Sequence, residues 1–405
     1  MQYRNDPKSG NRLSALGFGC MRFPRGVTGV DLDKTAALIL SAVERGVNYF
    51  DTAYIYGGSE IALGQIFKRY PDLRGKMLIA SKLPFHMVKS YEDFDRLLNI
   101  QLERLQTDHI DYYLIHNLTA PSDWAGLCAL GAERWIAQAK AAGRIGQIGF
   151  SYHGSQADFM PLLEAYPWEF TQIQYNYSDE NYQAGRAGLL RAAALGLPVI
   201  IMEPLLGGRL ATGLPKKAGA LLSKLDPDRS HAAWALRWLW DQPEVTCILS
   251  GMNSMAQLDD NIYCAESAPV GCLSDEERAA YPKLVEILRE AYKIPCTGCN
   301  YCMPCPKHVN IPGCFAAYNA SFAVDLFTGF AQYTTSTNIV DPKNCGSARN
   351  CSGCGACVKK CPQGIEIPVQ LKRVARKLEP APMRWGARLH NKLHEIKFID
   401  KYASM

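Results

Sequence analysis

The sequence predicts an α/β protein: a (β/α)8 barrel followed by a small, cysteine-rich α+β domain. Three observations carry that expectation. Short apolar runs alternate eight times with stretches of helical periodicity over about 250 residues, the pattern of strands buried on both faces between crossover helices. The 15 cysteines are unevenly spread, with five in residues 1–290 and ten in residues 296–361. The composition, 48% hydrophobic and 20% charged over 405 residues, excludes disorder and coiled coil, and the length suggests two or three domains.

The apolar runs fall at residues 17–21, 47–50, 77–80, 110–115, 146–150, 171–175, 198–202 and 246–249, most of them brief and β-branched. Between them, residues 34–45, 91–105 and 231–240 have helical spacing. A doubly wound sheet is the competing arrangement. It would place a Gly-rich turn and a helix directly after its first strand, whereas Gly17-Phe-Gly19 lacks a third glycine and no helical pattern follows at once. In a barrel the chemistry sits at the carboxyl ends of the strands. The polar residues there are Asp51, Lys82, His116, Ser151, Gln174, Asn176, Glu203 and Ser250. Any one alone would be an ordinary cap. Several at the same end of successive strands predict an active site.

The segment Gly46-Val-Asn-Tyr-Phe-Asp51-Thr-Ala-Tyr-Ile-Tyr56-Gly-Gly-Ser-Glu60 resembles the signature of the aldo-keto reductase family, with an Asp, a Tyr five residues later, and then Gly. Lys82 in Ala80-Ser-Lys-Leu83 and His116 in Asp111-Tyr-Tyr-Leu-Ile-His116 match the other two positions of that family's catalytic tetrad, and the resemblance covers roughly residues 10–265. It implies a TIM barrel that reduces a small carbonyl, or oxidises an alcohol, with a nicotinamide cofactor, NAD(P)H. The four residue types suit that chemistry. A free phenol has a pKa near 10, so a neighbouring cation is needed to make Tyr56 a competent acid. Lys82 would supply it, Asp51 would hold Lys82, and His116 would orient the carbonyl oxygen. In this family histidine suits C=O reduction, whereas glutamate in its place is associated with C=C reduction.

The same resemblance implies the cofactor contacts. Gly19, Cys20 and Met21 follow the first strand, and Ser151 and Gln174 match residues that grip the nicotinamide carboxamide. Leu205 and Gly207 belong to a loop over the pyrophosphate, and Gly251, Asn253, Gln257 and Asn261 to the loop and helix that hold the adenosine half. Arg22 and Tyr152 are expected at the substrate, Arg22 through an anionic group. The sequence departs from the family at Met202, where an aromatic usually stacks on nicotinamide, and at Tyr152, usually an asparagine. It departs again at Gly251 and Gln257, where many members place the Lys and Arg that bind a 2′-phosphate. NADPH preference is therefore not implied, and NADH stays open.

The cysteine-rich region reads Cys296-Thr-Gly-Cys299-Asn-Tyr-Cys302-Met-Pro-Cys305-Pro and Cys351-Ser-Gly-Cys354-Gly-Ala-Cys357-Val-Lys-Lys-Cys361-Pro. The second run has bacterial ferredoxin spacing, in which three close thiolates cap one cluster and the Cys before Pro reaches the other. Zinc is the alternative, but zinc ribbons offer separated CxxC pairs. A ferredoxin-like iron–sulfur domain with two [4Fe–4S] clusters is expected. By analogy Cys296, Cys299, Cys302 and Cys361 bind one, and Cys351, Cys354, Cys357 and Cys305 the other. The first run is one residue short before its Cys-Pro. Each run leads into a similar phrase, Pro306-Lys-His-Val-Asn-Ile-Pro312 and Pro362-Gln-Gly-Ile-Glu-Ile-Pro368, an internal pseudo-repeat. Residues 315–322, in the insert between the runs, are expected to be helical.

From residue 371 on, nine Lys or Arg face three acidic residues, a net of +6 that leaves −1 for the rest of a chain whose total is +5. Nucleic-acid binding is accordingly not expected. The domains are placed at 1–285 for the barrel, 286–370 for the cluster domain and 371–405 for a basic tail. No apolar run is long enough to span a membrane and no signal peptide is visible, so a cytoplasmic protein with reduced thiols is expected. The sequence is silent on oligomeric state. Clusters move single electrons whereas nicotinamide moves a hydride. An alternative is therefore an enzyme whose clusters exchange electrons with a partner protein through a flavin or the substrate; another is an electron-transfer or binding module without turnover.

Overall fold

The structure, a computed structural model, describes residues 1–27, 29–339 and 345–380. An amino-terminal hairpin of β1 (Tyr3–Asn5) and β2 (Arg12–Ser14) precedes β3 (Leu16–Gly19). A second small hairpin, β4 (Arg25–Gly26) and β5 (Gly29–Val30), leads into α1 (Leu32–Glu44). Strand and helix then alternate: β6 (Tyr49–Asp51), α2 (Ser59–Arg69), β7 (Leu78–Leu83), α3 (Glu92–Leu105) and β8 (Ile110–Leu118). Next come the paired α4 (Pro121–Ala129) and α5 (Ala132–Ala141), β9 (Ile145–Tyr152), α6 (Gln156–Glu164), β10 (Phe170–Gln174), α7 (Gly185–Ala194) and β11 (Val199–Met202). Then follow α8 (Lys216–Leu225), α9 (His231–Trp240), β12 (Cys247–Ser250), α10 (Met255–Ser267) and α11 (Asp275–Ala291).

Eight of these strands, β3 and β6 to β12, pair in parallel with their sequence neighbours, and β12 closes on β3 through Ile248↔Leu16 and Ser250↔Phe18. All eight apolar runs are therefore barrel strands. Alternation along each strand divides the side chains. Tyr49, Ala80, Tyr112, Leu114, Phe170, Ile200, Cys247 and Leu249 pack inside the barrel with Leu13. Their neighbours Phe50, Ile79, Tyr113, Ile115, Ile201 and Ile248 face the helices. The amino-terminal hairpin closes the bottom: Tyr112 donates to Asp6 Oδ2 at 2.7 Å and accepts from Asn11 Nδ2 at 3.1 Å.

Two glycines are required by close approach. A Cβ at Gly64 would lie 2.1 Å from the Arg104 carbonyl oxygen, where α2 crosses α3. One at Gly17 would lie 2.7 Å from Cys247 Sγ and 2.9 Å from Leu249 Cδ2, inside the barrel. Gly17→Ala is expected to overpack that interior and cost about 1–3 kcal/mol, read as a lower midpoint for barrel unfolding in denaturant. An unchanged midpoint would show that the interior yields there.

The described chain divides into two compact units, Met1–Leu206 with Arg229–Arg278 in one, and Gly207–Asp228 with the described residues from Ala279 onward in the other. The second unit contains α8, most of α11, α12 (Ile311–Ala323), α13 (Leu326–Thr337) and α14 (Ile367–Leu378). Its core is built from Ile294, Val309, Phe315, Tyr333, Ile367, Leu371, Val374 and Leu378. The helix expected over residues 315–322 lies within α12. The pseudo-repeat is visible as two helix starts, since α12 and α14 both begin Ile-Pro, with proline in the first turn where its missing N–H costs nothing. Among the described residues this unit has no strand. Left-handed backbone at Gly298, Asn300, His308, Gly353, Gly355 and Gly364 turns the cysteine segments too sharply for a ladder. The stretch from residue 371, expected as a tail from its charge, is helical to Leu378 and buries Leu371, Val374, Ala375 and Leu378. Residues 381–405 of that tail lie outside the described residues. No described helix is long and apolar enough to cross a membrane.

Candidate active site and cysteine centres

Strand alternation explains why the tetrad positions converge. Asp51, Lys82 and His116 each stand two residues beyond an inward-facing Tyr49, Ala80 or Leu114, so they continue the interior stack at its open end. Lys82 Nζ lies 2.6 and 2.7 Å from the Asp51 carboxylate oxygens, 2.8 Å from the Thr52 carbonyl and 3.3 Å from Tyr56 Oη. An ammonium has three protons for these four acceptors. Asp51 and Thr52 take the short contacts, and Tyr56 sits against a fixed positive charge. The Tyr56 and His116 rings meet edge-on, with centroids 6.0 Å apart. Lys82, Asp51 and His116 are only 1%, 2% and 4% exposed, so little water screens the group.

Burial pushes the Asp51 carboxyl up and the Lys82 ammonium down, and each partner opposes the other's shift. Gln172, a residue the sequence reading missed, donates to Asp51 as well. Its signal was available: it lies two residues before Gln174 on a fully buried strand, hence on the same inward face. A second missed group lies behind Lys82. Buried Glu60 accepts from Ser81 Oγ at 2.7 Å, Gln101 Nε2 at 2.8 Å and Arg104 at 3.2 Å. Gln101 also donates to the Lys82 carbonyl at 3.1 Å, tying α2 and α3 to the strand that carries the lysine.

Burial first, and then the charges of Lys82, His153 and His86, hold His116 well below the usual histidine range. His153, also missed by the sequence reading, is lowered to about 4 by burial, against the opposing effect of Gln183, 3.2 Å away. Both are bases whose pKa is depressed on folding, so below their ordinary pKa the unfolded chain binds the extra protons and stability falls with pH. Each should remove about 1.4 kcal/mol per pH unit below about 6.5. Denaturant titrations between pH 7 and pH 5 should show a shallower slope for His153→Asn; an identical slope would refute the assignment.

The remaining expected residues divide. Gly19 pairs with Asp51, and Cys20, Met21 and Arg22 form a 3-10 turn directly after it. Cys20 is fully buried beside Asp51 and Lys82, and burial raises its thiol. Ser151 Oγ accepts from the Asn117 N–H at 2.8 Å, and Gln174 Nε2 donates to Asp179 at 3.0 Å. Gly251, Asn253, Gln257 and Asn261 gather where β12 passes into α10. Asn253 N–H donates to Gln257 Oε1 at 2.9 Å, and Asn261 Nδ2 to Ser250 Oγ at 2.8 Å. Arg22 packs over Gly251, its Cβ 3.6 Å from where a Gly251 Cβ would stand. Leu205 is half-buried at the end of β11.

One expectation is corrected, and another gains a structural reason. Tyr152 is not at the substrate: alternation turns it outward, its hydroxyl donates to the Thr119 and Ser155 carbonyls, and its ring packs on Phe159. Gly207 clusters with the cysteine-rich unit, where a Cβ would fall 2.1 Å from the Thr297 carbonyl oxygen. Backbone approach to Thr297 is thus what demands glycine there.

Thiols of the two runs approach one another, and one cavity joins Cys302 of the first expected set to Cys305, Cys351, Cys354 and Cys357 of the second. Cys302 is pushed up to about 12 by burial and then by Cys296, Cys299 and Cys361. Burial raises Cys296 to about 11, with Cys299 and Cys361 adding to the rise and the Arg209 guanidinium opposing it. Cys357 is raised by burial and then by Cys351, Cys305 and Cys354. Cys302, Cys305, Cys351, Cys354 and Cys357 line one cavity of about 50 Å³ with Lys307, Lys360, Pro368 and Leu371. Soft thiolates at this spacing fit iron–sulfur clusters.

Comparison with known proteins follows the same division. The model described as "Aldo/keto reductase family" matches residues 15–277, and that described as "4Fe-4S dicluster domain" matches residues 295–366. The chain is similar to the uncharacterized oxidoreductase YrpG of Bacillus subtilis (strain 168), 29% identical over 309 residues, 66% of this chain and 91% of that protein. It is 27% identical over 283 residues to 6-dehydroglucose reductase of Novosphingobium aromaticivorans, 63% of this chain and 88% of that protein. A solved aldo-keto reductase from Bacillus halodurans, in its holo form, matches with a TM-score of 0.58 at 25% identity, covering 70% of this chain and 96% of that one.

Proposed function

This chain belongs to the aldo/keto reductase family, an oxidoreductase barrel followed by a 4Fe-4S dicluster domain, and we propose that it interconverts a small carbonyl compound and its alcohol with a nicotinamide cofactor. The observation that carries the reading is Lys82 Nζ, held by both oxygens of Asp51 and standing 3.3 Å from Tyr56 Oη. A bound nicotinamide would supply or accept the hydride at carbon. Tyr56 gives the matching proton to the carbonyl oxygen, and the Lys82 charge stabilises the phenolate left behind. Asp51 fixes Lys82 and keeps its charge from being lost to burial. His116, kept neutral by its surroundings, supplies a hydrogen bond to the substrate oxygen.

Ser151 and Gln174 would hold the nicotinamide carboxamide, and the β12–α10 group the adenosine half. In the second domain Cys296, Cys299, Cys302 and Cys361 would hold one [4Fe–4S] cluster, and Cys305, Cys351, Cys354 and Cys357 the other. The test is an anaerobic titration of the as-purified protein with NADH, NADPH and dithionite, with and without an aldehyde. Aldehyde-dependent oxidation of a reduced nicotinamide supports the reading. Failure to bind either nicotinamide, with tightly bound flavin in its place, overturns it.

A further inference from the structure

We propose that the second unit docks an acidic one-electron carrier protein on a basic face formed by Cys354, its flanking lysines and the outer side of α14. The site rests on the reading that the eight cysteines hold clusters. Of those eight, Cys354 is the exposed one; the other seven are partly buried. Lys307 and Lys360 line the same cavity as Cys354, together with Pro368 and Leu371 from the start of α14. Because α14 turns Leu371, Val374, Ala375 and Leu378 inward, Val369, Lys372, Arg373 and Arg376 share its outer face at three- and four-residue spacing.

The charge there is one-sided. Between residues 351 and 378 six Lys or Arg stand against the single acid Glu366, a side-chain excess of +5 before the negative charge of the thiolate-bound clusters is counted. A merely solvated helix intersperses acids among its bases, and α14 contains none. Among the described residues Lys307, Lys359, Lys360, Lys372 and Arg376 form no ion pair, and Arg373 reaches only Gln370. Concentrated like charge repels itself and attracts an oppositely charged surface.

The exposed ligand cysteine decides what kind of surface that is. A polyanion such as nucleic acid or an acidic membrane would use the charge and ignore Cys354. Electron exchange needs close approach, and redox encounters are small interfaces steered by charge. In each encounter the carrier is oxidised and this protein reduced by one electron, or the reverse, with no bond made or broken.

The test measures binding, not turnover, on anaerobic protein of determined iron content. Its probes are an acidic flavodoxin, single-stranded DNA and vesicles of phosphatidylserine. Expected are flavodoxin binding that weakens with salt and a loss of about tenfold or more in the triple variant Lys372→Glu, Arg373→Glu, Arg376→Glu. The visible cluster spectrum should stay unchanged. The equal reversal Lys68→Glu, Lys76→Glu, Lys89→Glu on the barrel should leave binding intact. Equal flavodoxin affinity in both variants, no flavodoxin binding, or a preference for DNA or vesicles would overturn the docking site while the cluster reading stands. Protein that takes up no iron would overturn the cluster reading and the site together.

Discussion

Tyr56→Phe is expected to lower kcat for carbonyl reduction by about 10²–10⁴-fold, the range for losing a positioned general acid, while nicotinamide binding and thermal stability stay near wild type. The substitution removes one oxygen at the open end of the barrel and leaves the buried pair beneath it untouched. Lys82 keeps its contacts of 2.6, 2.7 and 2.8 Å to Asp51 and Thr52 and loses only the longest one. Lys82 itself is a poorer residue to change. Removing it strands Asp51 as an unpaired buried carboxylate at a cost of about 3–5 kcal/mol, and lost activity could not then be separated from lost fold. Steady-state kinetics with an aldehyde, beside a cofactor titration of the same variant, make the measurement. An unchanged kcat would remove Tyr56 from the chemistry, and with it the role assigned to Lys82.

Cys302→Ala and Cys357→Ala are each expected to lose about four of about eight bound irons, and the double variant nearly all of them. Cys296, Cys299 and Cys361 act on the Cys302 thiol, and Cys351, Cys305 and Cys354 on that of Cys357, although Cys302 also lines the cavity of the second set. Cys361→Ala should therefore match Cys302→Ala, and Cys305→Ala should match Cys357→Ala, although each pair spans both cysteine runs. Cys314→Ala is the control. That thiol is buried in α12 with its sulfur turned toward the Gly346 carbonyl at 3.7 Å, and its loss should leave iron untouched. Iron and acid-labile sulfide on anaerobically prepared protein decide the matter. Zinc in place of iron, or equal losses whichever set is broken, would contradict the pairing.

The barrel was legible because its signals are local. A short β-branched run needs no partner to be recognised, and alternation of period two then dictates that Asp51, Lys82 and His116 point the same way as Tyr49, Ala80 and Leu114. Gln172 was legible in principle by the same rule. The outward turn of Tyr152 followed from it too, since Ser151 and Tyr152 are consecutive and only one can face the interior. The Glu60–Ser81–Gln101 group was not legible. Its members come from α2, β7 and α3, and polar residues on helices usually read as solvated.

Residue type and spacing alone determined the family, the eight strands, the four candidate tetrad positions and the two cysteine runs. Tertiary structure decided what depends on approach between distant segments. It placed Gly207 against Thr297 and so drew the loop after β11 into the cysteine-rich unit. It made residues 371–378 part of a helix rather than a tail, because four apolar side chains at helical spacing found a core to bury in. It also brought thiols of the two separate runs close to one another. Periodicity and ligand spacing are properties of one segment, whereas burial and the gathering of charges are properties of several. That is why the chain's cysteine count announced the clusters and only the folded chain showed which thiol faces solvent.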